Sequence, residues 1–347
     1  GPDGPEEILL DENALAEGND YLRVVNVGIS PDDAMVSYSL DTNGSERYRT
    51  RFRHAGGDDE LPDEIPLSSY GAGWASDSEH YFYTVPDAAM RPWQVWRHRL
   101  GTDPATDALV FQEDDERFYV SVHRSRSRAF VIIAAGSATT SDARVIPADD
   151  PLAEPRQILP RVPGVEYSLD HAGEDFWVVT NDEALDGKLL RIPVAGGPPR
   201  EVVPHRPGVK LAEPDCFADH VIVWGRKDGL SAALAVPRDG GDPHYLEMDE
   251  AVYEISPDMN LEFDTGRLRY RYQSPVTPPS VYDHDLESGE RVLLKQTPVL
   301  GDFDPARYVA GREWATAPDG ARIPITVVKA VDVLADGTAP LLLYGYG

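Results

Sequence analysis

The last eight residues of the chain contain a side chain whose setting suggests chemistry. Pro340 is followed by three leucines and then by Tyr344-Gly345-Tyr346-Gly347. An apolar run after a proline predicts a strand buried on both faces, as in a parallel sheet covered by helices. The glycines on either side of Tyr346 allow a tight turn and a close approach of the backbone at the end of that strand. The Tyr346 hydroxyl is therefore a candidate hydrogen-bond donor, and the alternative is a tyrosine that only caps the strand.

Other catalytic or metal-binding patterns are weak. The sequence contains no Gly-x-Ser-x-Gly, the elbow that exposes the serine nucleophile of α/β-hydrolases. Ser137 follows a glycine and is interpreted as a turn residue rather than a nucleophile. The nine histidines show neither His-x-His nor His-x-x-x-His spacing, and no Cys-x-x-Cys accompanies them. We therefore expect no metal site and no cofactor.

The acidic clusters and the cysteine favour structural roles. Residues 113–116 and 58–60 lack the Asp-x-Asp-x-Asp-Gly register of a calcium loop, so they are predicted to be solvated turns. Cys216 is the only cysteine, which rules out an internal disulfide and fits a reducing compartment. A cytoplasmic location is expected on this basis. Cys216 itself is predicted to lie in a strand as a buried, unreactive thiol.

Charge and composition limit the partners. Lys and Arg total 32 and Asp and Glu total 60, which gives a formal net charge of −28. Nucleic acid is not an expected partner, because binding phosphates requires a basic surface. The acidity has two readings, a surface adapted for solubility and a field that gathers cationic ligands. The longest apolar runs, such as residues 130–135, are far shorter than the roughly 20 residues that cross a bilayer, so no membrane contact is expected.

Turn signals recur along the chain about every 40 to 50 residues, which is the period of a four-stranded propeller blade. They lie at residues 30–33, 76–78, 125–127, 172–175, 218–219 and 256–258. A β-branched and aromatic strand follows each of the first five, at residues 34–39, 80–84, 130–133, 176–180 and 220–224. The 30 prolines and 29 glycines leave little room for helices, and only residues 12–17 suggest a helical turn. The predicted class is all-β, with six propeller-like units.

The pattern changes after residue 300. Residues 301–305 read as a linker, and residues 312–317 and 323–328 read as strands joined by a hairpin turn at Pro318-Asp319-Gly320. With residues 341–344 they resemble the opening strands of a different sheet. We therefore predict one domain over residues 1–300 and the start of a second over residues 301–347.

Short segments across the chain resemble the prolyl oligopeptidase family of serine peptidases (family S9), and within it the oligopeptidase B branch. The matching segments are Gly44-Ser45-Glu46-Arg47-Tyr48, Gln94-Val95-Trp96-Arg97-His98, Ala138-Thr139-Thr140-Ser141, Glu166-Tyr167-Ser168-Leu169-Asp170-His171, Thr277-Pro278-Pro279-Ser280-Val281-Tyr282, Trp314-Ala315-Thr316-Ala317-Pro318-Asp319-Gly320 and Leu342-Leu343-Tyr344-Gly345-Tyr346-Gly347.

The resemblance implies a seven-bladed β-propeller followed by the first strands of an α/β-hydrolase domain. The seventh blade would be formed partly by residues 6–10 and partly by sequence before Gly1, and the Ser/Asp/His triad would follow Gly347. The chain, which begins with Gly-Pro rather than Met, is thus expected to be a piece of a longer protein. Tyr346 matches the family's tyrosine that stabilises the tetrahedral oxyanion.

The implied function is hydrolysis of short peptides after Lys or Arg, with the propeller restricting access to the active site. The implied partners are short basic peptides and the remaining hydrolase domain of the same protein. The alternative is a propeller that acts only as a binding scaffold, since a fold does not fix a function.

Overall fold

The computed structural model describes residues 8–57, 59–334 and 336–345. Almost all regular structure in these residues is β. The one α-helix among them is α1 (Glu12–Ala16), which begins at Asp11, whose carboxylate accepts hydrogen bonds from the Asn13 and Ala14 amides. Short 3₁₀ turns occur at Pro104–Thr106 and Pro305–Arg307. No helix in the described part of the chain is long and apolar enough to cross a membrane.

In the described residues, the first 24 strands form six four-stranded antiparallel sheets, each made of four strands that follow one another along the chain. The first three sheets are sheet 1 (β1 Arg23–Ile29, β2 Met35–Asp41, β3 Tyr48–His54, β4 Glu60–Ser68), sheet 2 (β5 Ala72–Trp74, β6 His80–Pro86, β7 Pro92–Arg99, β8 Ala108–Gln112) and sheet 3 (β9 Tyr119–Arg124, β10 Phe130–Gly136, β11 Ser141–Pro147, β12 Arg156–Gln157). The other three are sheet 4 (β13 Tyr167–Ala172, β14 Asp175–Thr180, β15 Lys188–Pro193, β16 Arg200–Val203), sheet 5 (β17 Val209–Cys216, β18 His220–Lys227, β19 Leu230–Pro237, β20 His244–Tyr245) and sheet 6 (β21 Glu254–Pro257, β22 Arg267–Gln273, β23 Ser280–Asp285, β24 Arg291–Gln296).

The sheets repeat at the predicted spacing. Their second strands begin at residues 35, 80, 130, 175, 220 and 267, so successive starts lie 45 to 50 residues apart. The five predicted strands are all second strands of a sheet, and each contains buried side chains. Six sequential four-stranded sheets confirm the all-β prediction and the count of six units, and this is the strand order of propeller blades.

The turn between the first and second strands repeats in its backbone geometry. In sheets 1, 2 and 3 its left-handed position is taken by Asp33, Ser78 and Arg128, with φ of 60°, 59° and 61°, and each of these amides donates to the carbonyl three residues before it. In sheet 1 the Ser30 amide donates to the Met35 carbonyl and the Met35 amide donates to Ser30 Oγ, both at 2.9 Å. Ser125 and Phe130 make the same pair of bonds in sheet 3. The repeat is therefore present in individual hydrogen bonds as well as in strand order.

The described residues divide into two compact units, one up to Pro204 with sheets 1 to 4 and one from His205 onward with sheets 5 and 6. Within each unit the core lies between neighbouring sheets, a place that we call a seam. Seam 1–2 is filled by an aromatic cluster, and the other seams are filled by aliphatic and aromatic side chains from both sheets. The clusters are centred on Phe52, Trp74 and Tyr81 (seam 1–2), Phe82 and Val131 (seam 2–3), Phe130 and Phe176 (seam 3–4), and Trp224 and Tyr270 (seam 5–6).

After sheet 6 the predicted hairpin is present. Strands β25 (Tyr308–Thr316) and β26 (Arg322–Ala330) pair in register from Tyr308 opposite Ala330 to Thr316 opposite Arg322. Their turn is closed by the Ala317 amide, which donates to the Ala321 carbonyl, and by the Gly320 amide, which donates to the Ala317 carbonyl. The predicted strands and turn are confirmed, whereas the assignment of residues 301–347 to a hydrolase domain stays a prediction.

Two strand predictions fail at the ends of the described residues. Residues 341–345 form no strand, and Leu341, Leu342 and Leu343 are 84, 89 and 80% exposed instead of buried. A strand requires a hydrogen-bonding neighbour, and the described residues contain none for this segment. Residues 8–10 likewise form no strand, so the blade predicted from residues 6–10 has no support in the part described.

Candidate functional site

Tyr346 lies outside the residues that the structure describes, so its role as an oxyanion donor stays a prediction. The residues just before it, Tyr344 and Gly345, are described. Tyr344 is 84% exposed. Ser137, Cys216, residues 59–60 and residues 113–116 lie in the described part of the chain, whereas Asp58 lies outside it.

Ser137 and Cys216 have the predicted structural roles. The Ser137 hydroxyl donates to the Thr140 carbonyl at 3.1 Å and accepts from the Thr140 amide at 3.2 Å, which closes the β10–β11 turn. Cys216 is the last residue of β17 and is fully buried. Neither side chain is available as a nucleophile.

Part of the acidic segment 113–116 differs from its prediction. Asp114 and Glu116 are exposed, as predicted, but Glu113 is buried. Arg161 binds both Glu113 and Asp142 and lies 4.0 Å from the centroid of the Phe118 ring. The hydrogen bond to Glu113 holds the pKa of the Arg161 guanidinium above its usual value.

Arg91 fixes the backbone of the same loop. Its Nη1 donates to the carbonyls of Glu113, Asp115 and Phe118, at 3.3, 3.0 and 2.9 Å. The prediction of a wholly solvated turn is therefore wrong for Glu113. Its partner Arg161 lies 48 residues away in sequence, where a local pattern carries no information about the contact.

A buried acid–base group that sequence reasoning missed lies in seam 1–2. His98 is fully buried, and its Nδ1 lies 2.8 Å from an Asp107 carboxylate oxygen while its Nε2 lies 3.3 Å from an Asp63 oxygen. The Phe52 ring stacks on the imidazole at 5.6 Å between centroids. Burial alone lowers the pKa of His98, but the hydrogen bonds and charges of Asp107 and Asp63 outweigh it and raise the pKa.

This Asp–His–Asp group is built for stability rather than for chemistry. Both carboxylates are nearly inaccessible, and their remaining partners are the Gly101 amide on Asp63 and the Tyr83 hydroxyl on Asp107. A substrate has no route to the imidazole. Asp63 belongs to β4 and His98 to β7, so the group ties sheet 1 to sheet 2. His98 does belong to a segment that carried the family resemblance, which is the one signal that could have singled it out.

Ser127 and His171 have the spacing of a nucleophile and its base. Ser127 Oγ lies 2.7 Å from His171 Nδ1, across the seam between sheets 3 and 4. The serine also contacts Ser125 Oγ at 2.9 Å, as Asp32 contacts Ser30 Oγ at 2.5 Å in the equivalent turn of sheet 1. Ser127 therefore occupies a position of the repeated turn, and we interpret the Ser127–His171 hydrogen bond as a structural link between sheets 3 and 4.

In residues 8–57, 59–334 and 336–345, no group of three His, Cys, Asp or Glu side chains is placed to hold a metal ion. These residues form sheets whose seams contain buried apolar clusters.

Comparison with known proteins identifies the family. Residues 1–297 match the model for the prolyl oligopeptidase N-terminal β-propeller domain. Protease 2 of Moraxella lacunata is 33% identical over 99% of this chain and 50% of its own length. Dipeptidyl aminopeptidase BI of Pseudoxanthomonas mexicana is 36% identical over 99% of this chain and 48% of its own length.

Solved structures agree with this assignment. Oligopeptidase B from Trypanosoma brucei, in a closed form with covalently bound antipain, superimposes with a TM-score of 0.88 and 33% identity, over 98% of this chain and 50% of that one. The chain thus spans about half the length of the relatives that it matches. The propeller fold predicted from the sequence is confirmed, and the chain belongs to the prolyl oligopeptidase family, where it resembles oligopeptidase B.

Proposed function

We propose that the complete protein is a serine peptidase that hydrolyses short peptides after Lys or Arg. The observation that carries the proposal is the likeness, in sequence and in backbone along nearly the whole chain, to the oligopeptidase B structure with covalently bound antipain. Three of the relatives named above are called peptidases or proteases. The preference for basic residues accords with the net charge of −28, since an acidic protein attracts cationic peptides.

The reaction divides into acylation and deacylation. A serine hydroxyl attacks the carbonyl carbon of the scissile peptide bond while a histidine takes its proton, and the amine leaves with that proton. Water then hydrolyses the acyl-enzyme ester. We place the serine, histidine and aspartate in the part of the protein that follows residue 347, as the family resemblance implies.

Tyr346 is proposed to stabilise the oxyanion of each tetrahedral intermediate. Negative charge develops on the carbonyl oxygen only as the nucleophile adds, so a phenol donor directed there lowers the barrier more than it strengthens substrate binding.

The propeller is proposed to admit short peptides and to exclude folded proteins. Support comes from seams 1–2 and 2–3, which are closed by buried apolar clusters and, in seam 1–2, also by the Asp63–His98–Asp107 group. Sheets tied together in this way do not separate readily, as a selective entrance requires.

The test is hydrolysis by the full-length protein of a fluorogenic amide with Arg before the scissile bond. A matched substrate carries citrulline, which keeps the shape of arginine without its charge. We expect kcat/KM to be at least about tenfold higher for the Arg substrate, the ratio that one lost ionic contact gives. A serine-directed covalent inhibitor should abolish both rates. Absence of hydrolysis, or hydrolysis that the inhibitor leaves intact, would contradict the proposal and return the propeller to the role of a binding scaffold.

We also propose a cytoplasmic location, because a single buried cysteine suits a reducing compartment. Cell fractionation tests it, and recovery of the protein in a secreted or membrane fraction would contradict it.

A further inference from the structure

A cavity of about 1060 Å³ opens at seam 3–4, entirely within the unit that ends at Pro204. Its volume lies just above the roughly 300–1,000 Å³ range of ligand pockets. The lining comes mainly from the end of β11, the connection to β12, the β13–β14 turn and the β15–β16 turn. The proposed peptidase mechanism makes no use of this cavity.

One side of the cavity is apolar. Phe130 and Val145 of sheet 3 face it together with Pro193 and Val194 of sheet 4. The Phe130 ring packs edge-on against the His171 imidazole, with 4.7 Å between ring centroids. A ligand with an apolar group would displace water from this wall at a gain in free energy.

Three guanidinium groups also line the cavity. Arg191 and Arg200 are directly opposite each other in the β15–β16 pair. Asp175 neutralises Arg191 through a contact of 2.6 Å, whereas Arg200 has no ion pair with any described residue. Arg156 reaches across from sheet 3 and donates to the Val194 carbonyl at 3.1 Å, and it too has no carboxylate partner in the described part. Arg200 and Arg156 therefore leave positive charge on the lining that is not neutralised by a described carboxylate, and an anion there would be stabilised.

Carboxylates complete the lining. Asp149, Glu154 and Glu174 face the same cavity, all three are exposed, and none forms an ion pair with a described residue. A ligand that is only anionic, such as phosphate, would be repelled by these side chains. A ligand that is only cationic would be repelled by the guanidiniums. The lining therefore fits a molecule that carries a negative charge, a positive charge and an apolar portion.

We propose that this cavity binds a short peptide with free termini. Arg200 and Arg156 hold the C-terminal carboxylate, Asp149 and Glu174 attract the N-terminal ammonium, and an apolar side chain lies against Phe130 and Val194. The proposal goes beyond the peptidase activity, because free termini are carried by the products of hydrolysis as well as by substrates.

The test is peptide binding to the full-length protein after treatment with a serine-directed covalent inhibitor. The probe is Ala-Leu-Ala with free termini, which contains no Lys or Arg, and the matched probe is the same peptide with a C-terminal amide. Isothermal titration calorimetry gives both dissociation constants. We expect amidation to weaken binding to the wild-type protein about tenfold, the usual effect of one charge-assisted hydrogen bond.

Arg200→Gln identifies the group that recognises the carboxylate. The variant should bind the free peptide about tenfold more weakly than the wild type and should no longer distinguish it from the amide. Arg47→Gln is the matched control, since Arg47 is exposed, lies outside the cavity and loses the same charge. It should retain both wild-type affinities.

Three results would overturn the proposal: no binding of the free peptide at millimolar concentration, equal affinity of the wild type for the two probes, or a variant Arg200→Gln that still prefers the free carboxylate. The comparison of the two probes needs only the wild-type protein, so a variant that fails to fold leaves the proposal testable. Because neither probe is a substrate for cleavage after a basic residue, failure here is distinguishable from failure of the proposed peptidase function.

Discussion

Seam 1–2 and seam 3–4 lie in the same compact unit, but different kinds of side chain line them. Seam 1–2 is sealed by aromatic rings and by a fully buried histidine between two carboxylates. Seam 3–4 has an apolar cluster of its own but opens into a cavity rimmed by arginines and carboxylates. The repeated strand order thus places the sheets side by side. The side chains then determine whether a seam is filled, as in seam 1–2, or leaves a cavity beside its buried cluster, as in seam 3–4.

A substitution in the Asp63–His98–Asp107 group of seam 1–2 should have the largest effect on stability. His98→Ala leaves Asp63 and Asp107 as buried carboxylates without their imidazole partner, and removing one member of such a buried group costs about 3–5 kcal/mol. Calorimetric unfolding of the full-length protein should show a large fall in the unfolding temperature. A variant with the wild-type unfolding temperature would show that the group does not hold sheets 1 and 2 together.

The seam between sheets 2 and 3 is closed by backbone as well as by side chains. Gly71 has φ of 98°, and a Cβ there would lie 3.1 Å from the Val122 amide nitrogen. Gly71→Ala should therefore cost about 1–3 kcal/mol, from strain and from the clash. Gly136→Ala is the matched control, because nothing lies within 4 Å of its added Cβ. Equal unfolding temperatures for the two variants would contradict the close approach.

The contribution of His98 in seam 1–2 to the free energy of unfolding should also depend on pH. The folded-state pKa of His98 is raised, so its stabilising charge is fully present below the unfolded value of about 6.5 and is lost as pH rises through the folded value. The stability advantage of the wild type over His98→Gln should accordingly be greater at about pH 5.5 than at about pH 9. An advantage that grows with pH would mean that the histidine is neutral in the folded protein.

Loss of Arg200 from the cavity at seam 3–4 should have little effect on stability. Arg200 is exposed and makes no ion pair with a described residue, so Arg200→Gln should change the free energy of unfolding by no more than about 0.5 kcal/mol. Chemical denaturation of the full-length protein measures this. A loss comparable to that of His98→Ala would show that Arg200 itself contributes to the stability of seam 3–4.

The strands could be predicted from sequence because their signals are local. The second strand of each of the first five units is marked by β-branched and aromatic residues next to a turn, and the 308–330 hairpin is marked by Pro318-Asp319-Gly320. Features that depend on distant partners were missed. Glu113 is buried against Arg161, and His98 is held by a carboxylate 35 residues away. The strand predicted at residues 341–344 does not form, because this segment has no neighbouring strand in the described part.

The central claim is that the complete protein is a serine peptidase in which Tyr346 binds the oxyanion, and Tyr346→Phe tests it most directly. In the full-length enzyme this change should lower kcat by about 10²- to 10³-fold with little change in KM, since the hydroxyl acts mainly on the transition state. Tyr344→Phe is the matched control from the same segment and should keep near wild-type kcat. A Tyr346→Phe enzyme with near wild-type kcat, or equal losses in the two variants, would contradict the claim.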